Sequence, residues 1–456
     1  MFGMTLFLFE DSHAMSSLDN LYDLYRKHPV VCTDTRQLTP GCLFFSLKGG
    51  NFDGNKFAAQ ALAEGAAFAI IDDPATAASD PRCILVTDTL LALQQLATRH
   101  RKQFFIPIIA IGGSNGKTTT KELVSAVLAS HYPCHFTRGN FNNHIGVPLT
   151  LLSMPANTEV AVIEMGTNQP GDIQQLCQIA QPTHGLLTNI GKEHLEGLGN
   201  LEGVKQAEGE LYRYLAGHNG CVFVNDAEKY LRSMTRSNKK KISYGPINAL
   251  RPNDSHIDIQ CVNENPFLEV AFLSDGDERR VAVQTRLYGF HNFHNIATAI
   301  ALGVYFKVPA AKIKAAIESY TPANNRSQWL QSGTNTILLD AYNANPSSMR
   351  PALDVLKKIK AKHKIAILGD MLELGAESEA EHLALLRYAA RLKPDMLVLV
   401  GPEFGKTPYA KYKALYFPDA AKAKEWFEKQ AFEETLILVK GSRGIKVETV
   451  VGSLAG

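Results

Sequence analysis

Short apolar runs alternate with longer segments that carry one apolar face along most of the chain. Helical segments lie between the runs, and this alternation is typical of α/β proteins with mostly parallel sheets. Ten of the runs predict buried strands: Phe68 to Ile71, Cys83 to Thr87, Ile106 to Ile111, Val160 to Glu164, Gly185 to Thr188, Cys221 to Val224, Thr336 to Asp340, Lys364 to Leu368, Met396 to Val400 and Thr435 to Val439.

Two polar breaks divide this alternation into segments. One lies at Arg101-Lys102-Gln103, and the other follows a predicted helix at Tyr320 to Asn325, where turn residues cluster. The chain has 456 residues, and a domain typically holds roughly 150. We predict three domains at 1–103, 104–321 and 322–456, with a peripheral antiparallel insertion from Ser233 to Arg280 in the second.

Composition narrows the possible function classes. Lys and Arg total 47 against 45 Asp and Glu, which leaves a net charge of +2, so no overall field favours nucleic acid or an anionic membrane. The seven cysteines form no Cys-x-x-Cys pair, which argues against a disulfide framework or a zinc knuckle. We therefore expect a cytoplasmic protein that binds no nucleic acid and captures any anion locally.

The run from Met1 to Phe9 is apolar but carries no signal for export. It lacks preceding basic residues and a small-residue cleavage site, and it is too short to span a bilayer. We predict neither a signal peptide nor a membrane span. Met15 opens a more ordinary start, and residues 1–14 are interpreted as either an over-extended reading frame or a disordered tail.

The strongest local signal is the segment Ile108-Ile-Ala-Ile-Gly-Gly-Ser-Asn-Gly-Lys-Thr-Thr-Thr120. An apolar strand enters a glycine-rich turn and then a helix that begins near Lys117, which is the context of a phosphate-binding loop. Lys117 can reach the β- and γ-phosphates and the Thr118 hydroxyl can hold magnesium. The alternative is a tight strand-to-helix turn with an incidental Gly-Lys-Thr. The loop residues that we expect to bind nucleotide are Gly113, Ser114, Asn115, Gly116, Lys117, Thr118 and Thr119.

Two further strand ends carry candidate metal ligands. Glu164 ends a buried strand, where a carboxylate is costly unless it meets a cation. His194 follows the strand that ends near Thr188, although magnesium prefers oxygen to imidazole. An ordinary solvated glutamate and a hydrogen-bonded histidine are the alternatives.

Polar clusters also begin a helix and follow the last strands. His291, Asn292 and Asn295 open a helix of small residues and could stack on and hydrogen-bond a base, or simply cap and pack the helix. Asp340 to Ser348, Leu368 to Gly375 and Val439 to Gly444 each follow an apolar strand, where open α/β sheets bind ligands. We expect these three clusters to share one rim.

These residues resemble the Mur ligase family, the ATP-dependent amide-forming enzymes of peptidoglycan precursor synthesis. The family's glycine-rich loop appears with Ala110 at its first glycine, and Thr188-Asn-Ile-Gly-x-x-His194 and His291-Asn292-x-x-Asn295 are similar to its metal and adenine motifs. The resemblance covers the chain from about Asp34 onward. It implies a smaller N-terminal α/β domain that binds the UDP-muramoyl substrate, a central P-loop ATPase-like domain with a mostly parallel sheet, and a C-terminal Rossmann-like domain that binds the acceptor and closes on ATP.

Three signatures narrow the resemblance within the family: Tyr342-Asn-Ala-Asn-Pro346, Leu368-Gly-Asp-Met-Leu-Glu-Leu-Gly375 and Lys440-Gly-Ser-Arg443. They are similar to those of the members that join D-alanyl-D-alanine to UDP-N-acetylmuramoyl-tripeptide, and the Asp-x-Pro-Arg motif of the preceding ligase is missing. The resemblance implies substrate contacts at Thr35, Arg36, Lys48, Asp53, Asn142, Asn143, Asn343, Asn345, Lys440 and Arg443. It also implies that Arg326 reaches phosphate and that Asp340 faces the ribose and metal.

One departure from the family pattern concerns a lysine that relatives carbamylate to support a second magnesium ion. The family has Ala-Lys-Gly-Glu fourteen residues after the histidine position, whereas this chain has Ala207-Glu208-Gly209-Glu210. We hypothesise that the Glu208 carboxylate takes over the role of the carbamate. Lys205 is the alternative, but it lies about one helical turn earlier.

The implied activity is amide formation through an acyl phosphate, with ATP and Mg²⁺ as cofactors and Lys117, Glu164, His194 and Glu208 as catalytic residues. We expect a monomer. Two alternatives stay open, namely another amide ligase of the superfamily, such as a different Mur step or a folylpolyglutamate-type enzyme, and a nucleotide-driven switch or transport ATPase. Phosphate release measured with a panel of acceptors would separate them.

Overall fold

The computed structural model describes residues 14–246, 255–273 and 279–452, and side chains from residue 18 onward. Residues 1–13, which include the apolar run from Met1 to Phe9, lie outside the described residues. Within them the strands are β1 (Val31–Cys32), β2 (Leu43–Phe45), β3 (Lys48–Gly49), β4 (Phe52–Asp53), β5 (Phe68–Ile71), β6 (Cys83–Leu85), β7 (Ile108–Gly112), β8 (Cys134–Phe136), β9 (Val160–Glu164), β10 (His184–Leu187), β11 (Cys221–Asn225), β12 (Lys240–Gly245), β13 (Ser255–Asn263), β14 (Glu269–Leu273), β15 (Arg280–Gln284), β16 (Gln328–Ser332), β17 (Asn335–Leu339), β18 (His363–Gly369), β19 (Met396–Val400), β20 (Leu415–Phe417) and β21 (Thr435–Lys440).

The helices alternate with these strands. They are α1 (Ala14–Lys27), α2 (Ala58–Ala63), α3 (Pro74–Ala77), α4 (Thr89–Arg101), α5 (Lys117–Ala129), α6 (Gly146–Leu152), α7 (Asp172–Ala180), α8 (Leu195–Leu198), α9 (Leu201–Glu208), α10 (Glu210–Gly217), α11 (Leu231–Met234), α12 (Phe290–Tyr305), α13 (Ala310–Ser319), α14 (Pro346–Lys358), α15 (Ser378–Arg391), α16 (Pro402–Gly405) and α17 (Ala420–Phe427). Short 3-10 helices lie at Thr35–Gln37, Gly54–Phe57, Gly375–Glu377, Tyr409–Tyr412, Arg443–Ile445 and Val447–Val451.

All ten strands that the apolar runs predict are present, and the α/β class with mostly parallel sheets is confirmed. Several strands at sheet margins were not predicted, among them β8, β16 and β20. Their residues are only partly buried, and β8 and β20 have only three residues each. In the predicted insertion, β13, β14 and β15 pair antiparallel. Strand β12 differs, since it pairs parallel with both β11 and β13.

The chain forms two compact units. The first holds residues 14–110, Pro133–Gly166 and Asp172–Thr183, and the second holds Ile111–Tyr132, Thr167–Gly171 and residues 184–452. In the first unit, a parallel sheet has the order β1-β2-β5-β6, and β8 pairs parallel with β9. The predicted three-domain boundaries stay a prediction.

In the second unit, strands β10 to β13 run parallel in sequence order before the antiparallel pair β14 and β15. A separate six-stranded sheet has the order β16-β17-β21-β18-β19-β20, in which only β16 is antiparallel. The last strand of the chain therefore lies between β17 and β18. This order brings the loops that follow β17, β21 and β18 to one edge, since carboxyl ends of adjacent parallel strands coincide.

Local signals explain the helices that flank this edge. Asn345 caps α14 by accepting a hydrogen bond from Ser348 N at 2.9 Å, and Pro346 occupies the first helical position. The core of the six-stranded sheet packs apolar residues of β17, β18, β19 and β21 against α17. No helix among the described residues has the length and apolarity needed to cross a bilayer.

Candidate active site

The glycine-rich loop joins β7 to α5 and requires glycine at two positions. Gly113 has φ +107° and Gly116 has φ +80°, a region that residues with a Cβ rarely adopt. A Cβ on Gly113 would lie 2.4 Å from Thr188 Oγ1, and one on Gly116 would lie 2.5 Å from Asn295 Oδ1. The loop therefore has the backbone and the close packing of a phosphate-binding turn, with Lys117 as the first residue of α5 as predicted.

The segment after β10 braces this loop. Asn189 O accepts a hydrogen bond from Ser114 N at 2.9 Å, and Asn189 Oδ1 accepts one from Asn115 N at 3.1 Å. Gly191 N donates to Ser114 Oγ at 2.8 Å. The glycine-rich loop and the segment from Thr188 to His194 are therefore in direct contact. Thr118 and Thr119 are buried in the first turn of α5.

Lys117 lies between the loop and an acidic group. Its Nζ donates to Gly113 O and lies 3.5 Å from Glu193 Oε2. Only 14% of the lysine side chain is exposed. Glu193 was not predicted, because a glutamate in a turn gives no sign that its carboxylate will be buried.

Glu208, at the end of α9, reaches the glycine-rich loop. Its Oε2 accepts a hydrogen bond from Gly113 N at 2.7 Å, and the residue is fully buried. Burial raises the pKa of Glu208, Lys117 opposes this shift, and the carboxylate of Glu193 adds to it. Lys205 lies elsewhere, with its Nζ 3.0 Å from Glu202 Oε2 and 4.3 Å from the ring centre of Tyr230.

His194 is held by a carboxylate from the C-terminal part of the chain. It has φ +45°, and its Nδ1 lies 2.6 Å from Glu373 Oε2. Burial lowers the pKa of His194, but the hydrogen bond to Glu373 and the charge of Glu193 raise it overall. Because Glu373 occupies Nδ1, the other ring nitrogen of His194, Nε2, is the one that faces Glu193. It lies 3.9 Å from Glu193 Oε2.

The predicted adenine residues form a buried hydrogen-bond network at the start of α12. Asn295 Oδ1 accepts from Thr120 Oγ1 at 3.0 Å, and Asn295 Nδ2 donates to Asn292 Oδ1 at 3.0 Å. Asn292 Nδ2 lies 3.2 Å from His291 Nε2 and also donates to Tyr288 O. Burial lowers the pKa of His291 to about 4, so the ring is neutral near pH 7.

The three C-terminal clusters share one rim, as predicted. Ser442 Oγ accepts from Leu372 N at 2.9 Å and donates to Ala344 O at 3.3 Å, which ties the loops after β17, β18 and β21 together. Lys440 Nζ donates to Asp340 Oδ2 at 2.7 Å and to Asn343 O at 3.1 Å. Burial would raise the pKa of Asp340, but the charge and hydrogen bond of Lys440 lower it overall.

Other rim residues contact the glycine-rich loop and its brace. Asn345 Nδ2 donates to Asn115 Oδ1 at 2.9 Å, while its Oδ1 caps α14. Ser347 Oγ accepts from Lys192 N at 2.9 Å, and Lys192 Nζ lies 2.5 Å from Glu381 Oε1. Sequence reasoning missed Ser347, Lys192 and Glu381, because contacts between distant turns leave no local pattern.

Two arginines of the rim stack on one aromatic ring. The guanidinium carbon of Arg326 lies 3.6 Å from the ring centre of Tyr342, and that of Arg443 lies 5.0 Å from it. Such contacts are attractive because the face of the ring carries partial negative charge.

In the first unit, Glu164 lies beside a predicted substrate residue. Its Oε1 accepts a hydrogen bond from Asn142 Nδ2 at 2.8 Å, and its backbone N donates to Thr137 Oγ1. Asn143 Oδ1 accepts from the backbone N–H groups of Ile145 and Gly146, which orders the entry to α6.

The predicted nucleotide-sugar residues lie in the same unit, with Thr35 and Arg36 in a short 3-10 helix and Lys48 and Asp53 in the paired strands β3 and β4. The Arg36 side chain makes three hydrogen bonds to the carboxylate of Asp34, and its backbone N donates a fourth. Lys48 Nζ lies 2.8 Å from Asp72 Oδ1. Asn55 donates to both Asp53 and Asp72.

Oxygen ligands suited to magnesium are available near Lys117. Oε1 of Glu193 and Oε1 of Glu208 are buried, and neither has a hydrogen-bond partner among the residues that the structure describes. The described part of the chain contains no cluster of three or more His, Cys, Asp or Glu side chains that could bind a metal ion together. Magnesium usually binds through one or two carboxylates together with water and phosphate, so the donor set fits this ion.

Comparisons with known proteins point to one family. Three family models match the chain, namely Mur ligase family, catalytic domain at residues 29–101, Mur ligase middle domain at 111–303, and Mur ligase, glutamate ligase domain at 325–443. The chain is 33% identical over 440 residues to a UDP-N-acetylmuramoyl-tripeptide--D-alanyl-D-alanine ligase from Bacillus subtilis, covering 93% of this chain and 92% of the relative. It is 35% identical over 429 residues to the protein of the same name from Escherichia coli, with 93% of each covered.

Solved structures give the same result for the fold. MurF from Acinetobacter baumannii superposes with a TM-score of 0.80 at 30% identity, covering 93% of each chain. MurF ligase from Thermotoga maritima, solved in complex with ADP, has a TM-score of 0.80 at 24% identity and covers 95% of this chain and 98% of its own.

Proposed function

This chain belongs to the Mur ligase family, and from that premise we propose that it joins D-alanyl-D-alanine to UDP-N-acetylmuramoyl-tripeptide with conversion of ATP to ADP and phosphate. The observation that carries the proposal is the glycine-rich loop with Lys117. Its nearby groups include His194, the Glu193 and Glu208 carboxylates and the C-terminal rim. The named relatives act on these substrates according to their names.

Amide formation from a carboxylate and an amine needs activation of the carboxylate. An oxygen of the tripeptide's terminal carboxylate attacks the γ-phosphorus of ATP, the bond to the ADP oxygen breaks, and an acyl phosphate forms. The dipeptide's amino nitrogen then attacks the acyl carbon, phosphate leaves, and the nitrogen loses a proton. The chain positions these groups and neutralises charge, because phosphoryl transfer demands mainly those two contributions.

Lys117 supplies the fixed positive charge of the loop, and the backbone N–H groups at the start of α5 supply further donors to phosphate. Thr118, Glu164 and His194 are assigned to hold Mg²⁺. The ion, when bound, neutralises phosphate charge. His291, Asn292 and Asn295 are assigned to the adenine, and Arg326 and Asp340 to the phosphate and ribose.

The remaining assignments concern substrates and organisation. Residues 1–103 are assigned to the UDP-muramoyl group with Thr35, Arg36, Lys48 and Asp53, residues 104–321 to ATP, and residues 322–456 to the dipeptide. Asn142 and Asn143 are assigned to the muramoyl substrate, and Asn343, Asn345, Lys440 and Arg443 to the acceptor. We propose a cytoplasmic monomer.

Release of phosphate from ATP tests the proposal with a panel of carboxylates and amines. We expect phosphate release and amide product only when the UDP-linked tripeptide and D-alanyl-D-alanine are both present. Turnover without an acceptor would indicate a switch or transport ATPase, and turnover with another carboxylate and amine would indicate a different ligase.

We also propose that Glu208 performs the role of the carbamylated lysine of relatives. The hydrogen bond that its carboxylate accepts from Gly113 N supports this assignment. Lys205, the alternative, instead packs on the ring of Tyr230. We expect Glu208→Gln to lose most ligase activity and Glu208→Lys to regain it only with added bicarbonate. Full activity of Glu208→Gln, or rescue of Glu208→Ala by bicarbonate, would contradict the assignment. Lys205→Met serves as the matched control and should stay active.

A further inference from the structure

The two stacked arginines are the starting point. Arg326 belongs to the turn before β16, and Arg443 follows β21, so the two are distant in sequence. Neither forms an ion pair with a carboxylate within the described part of the chain. Each guanidinium instead contacts the ring of Tyr342, which restricts where its positive charge lies.

The backbone around Tyr342 is fastened on both sides. Ala341 N and Tyr342 N both donate to Asn325 O, at 2.8 and 3.1 Å, next to Arg326. On the other side, Lys440 Nζ and Ser442 Oγ donate to backbone oxygens at 343 and 344. The ring is thus held between the turn that carries Arg326 and the turn that carries Arg443.

Two like charges beside one ring repel each other unless each also meets an anion. The proposed reaction supplies two anions, the phosphates of the nucleotide and the terminal carboxylate of the dipeptide, and a guanidinium matches the geometry of both. Arg443 is exposed on the rim assigned to the acceptor.

We infer that Tyr342 is a positioning residue whose ring holds Arg443 against the terminal carboxylate of the dipeptide acceptor and Arg326 toward nucleotide phosphate. The inference rests on the proposed function. Stacking of this kind contributes the equivalent of roughly a two- to thirtyfold change in affinity.

Steady-state kinetics of Tyr342→Leu and Tyr342→Phe, with D-alanyl-D-alanine and with D-alanyl-D-alaninamide, test the inference. The amide lacks the terminal carboxylate. We expect Tyr342→Leu to raise the KM for the dipeptide roughly two- to thirtyfold, to change kcat less, and to leave the KM for the amide as in the wild type. Tyr342→Phe keeps the ring and should behave as the wild type with both acceptors.

Binding of ADP, measured by calorimetry, gives a readout that is independent of turnover. It should weaken in Tyr342→Leu and not in Tyr342→Phe. Equal losses with the dipeptide and the amide, or equal losses in the two variants, would overturn the inference.

If Tyr342→Leu does not fold, Tyr342→Met, which also removes the ring but keeps a long apolar side chain, takes its place. It should raise the KM for the dipeptide and not that for the amide, and an equal effect on both would overturn the inference. A wild-type protein that joins neither acceptor would instead contradict the proposed function.

Discussion

At the scale of single residues, the most consequential pair outside the glycine-rich loop is Asp340 with Lys440. Lys440 is 2% exposed and Asp340 is 23% exposed. Burial of a lysine costs free energy of folding unless a carboxylate compensates its charge, and burial of an aspartate likewise requires a cation. The two residues therefore depend on each other for stability.

Replacement of one partner should cost more than replacement of both. We expect Lys440→Met to lower the free energy of unfolding by about 3 kcal/mol, because it leaves the Asp340 carboxylate without its cation. The double variant Lys440→Met with Asp340→Asn should recover part of this loss. Urea denaturation of the wild type, the two single variants and the double variant measures the losses. A loss in the double variant equal to the sum of the two single losses would show that the pair is not coupled.

His184 predicts a pH dependence of stability. Burial among Phe223, Tyr305 and Phe306 lowers its pKa to about 4, and the charge of Lys240 adds to this. Its folded pKa is thus below the unfolded value of ~6.5, so the unfolded chain binds the additional proton. Its contribution to stability is present above pH ~6.5 and is lost as the pH falls toward 4.

Denaturation at pH 7 and at pH 4.5 tests this dependence. We expect the wild type to lose up to about 2 to 3 kcal/mol more than His184→Phe across this interval. The exposed His363→Gln is the control and should lose as much as the wild type. A His184→Phe protein with the same loss as the wild type would contradict the assignment.

At the scale of elements, the glycine-rich loop depends on space as well as on backbone conformation. Gly113 and Gly333 both have positive φ, but a Cβ on Gly113 meets Thr188, whereas a Cβ on Gly333 meets nothing within 4 Å. Comparison of alanine variants at these two positions therefore separates the effect of a steric clash from the effect of an unfavourable backbone φ.

We expect Gly113→Ala to lower kcat/KM for ATP by about a hundredfold or more, since displacement of the loop by about 1 Å misplaces phosphate. Gly333→Ala should keep the wild-type kcat/KM and lose only about 1 kcal/mol of stability. Initial rates of phosphate release with all substrates measure the effect, and comparable activity of the two variants would contradict the role of the loop.

The elements themselves were largely predictable. Nine of the ten predicted strands are largely buried, and a strand buried on both faces must be apolar along its whole length. Strand β6 is the exception, because its residues are partly buried or exposed. Strands such as β8 and β16 escaped prediction because their residues are only partly buried and their pairing comes from neighbours distant in sequence. The asparagine cap of α14 was visible in the sequence, but its second bond to Asn115 was not.

At the scale of the whole molecule, nucleotide binding should stabilise the folded chain by mass action. At a concentration of Mg²⁺ and ADP near 100 times Kd, the expected gain is about 2.7 kcal/mol, seen as a rise in Tm by calorimetry. Lys117→Met should reduce the rise, and Lys205→Met, whose lysine packs on Tyr230, should keep it. Chelation of Mg²⁺ with EDTA should remove most of it, and a rise that persists in Lys117→Met would contradict the assigned phosphate site.

The sequence by itself determined the α/β class, the phosphate-binding turn, the family and the chemistry of each strand-end cluster, because these depend on residues that are close together in the chain. The tertiary structure alone decided which clusters meet. It inserts β21 between β17 and β18, places Glu193 and Glu208 beside Lys117, pairs His194 with Glu373, and stacks two arginines on Tyr342. Strand order and the burial of a charged side chain follow from packing between distant segments, and no local pattern encodes them.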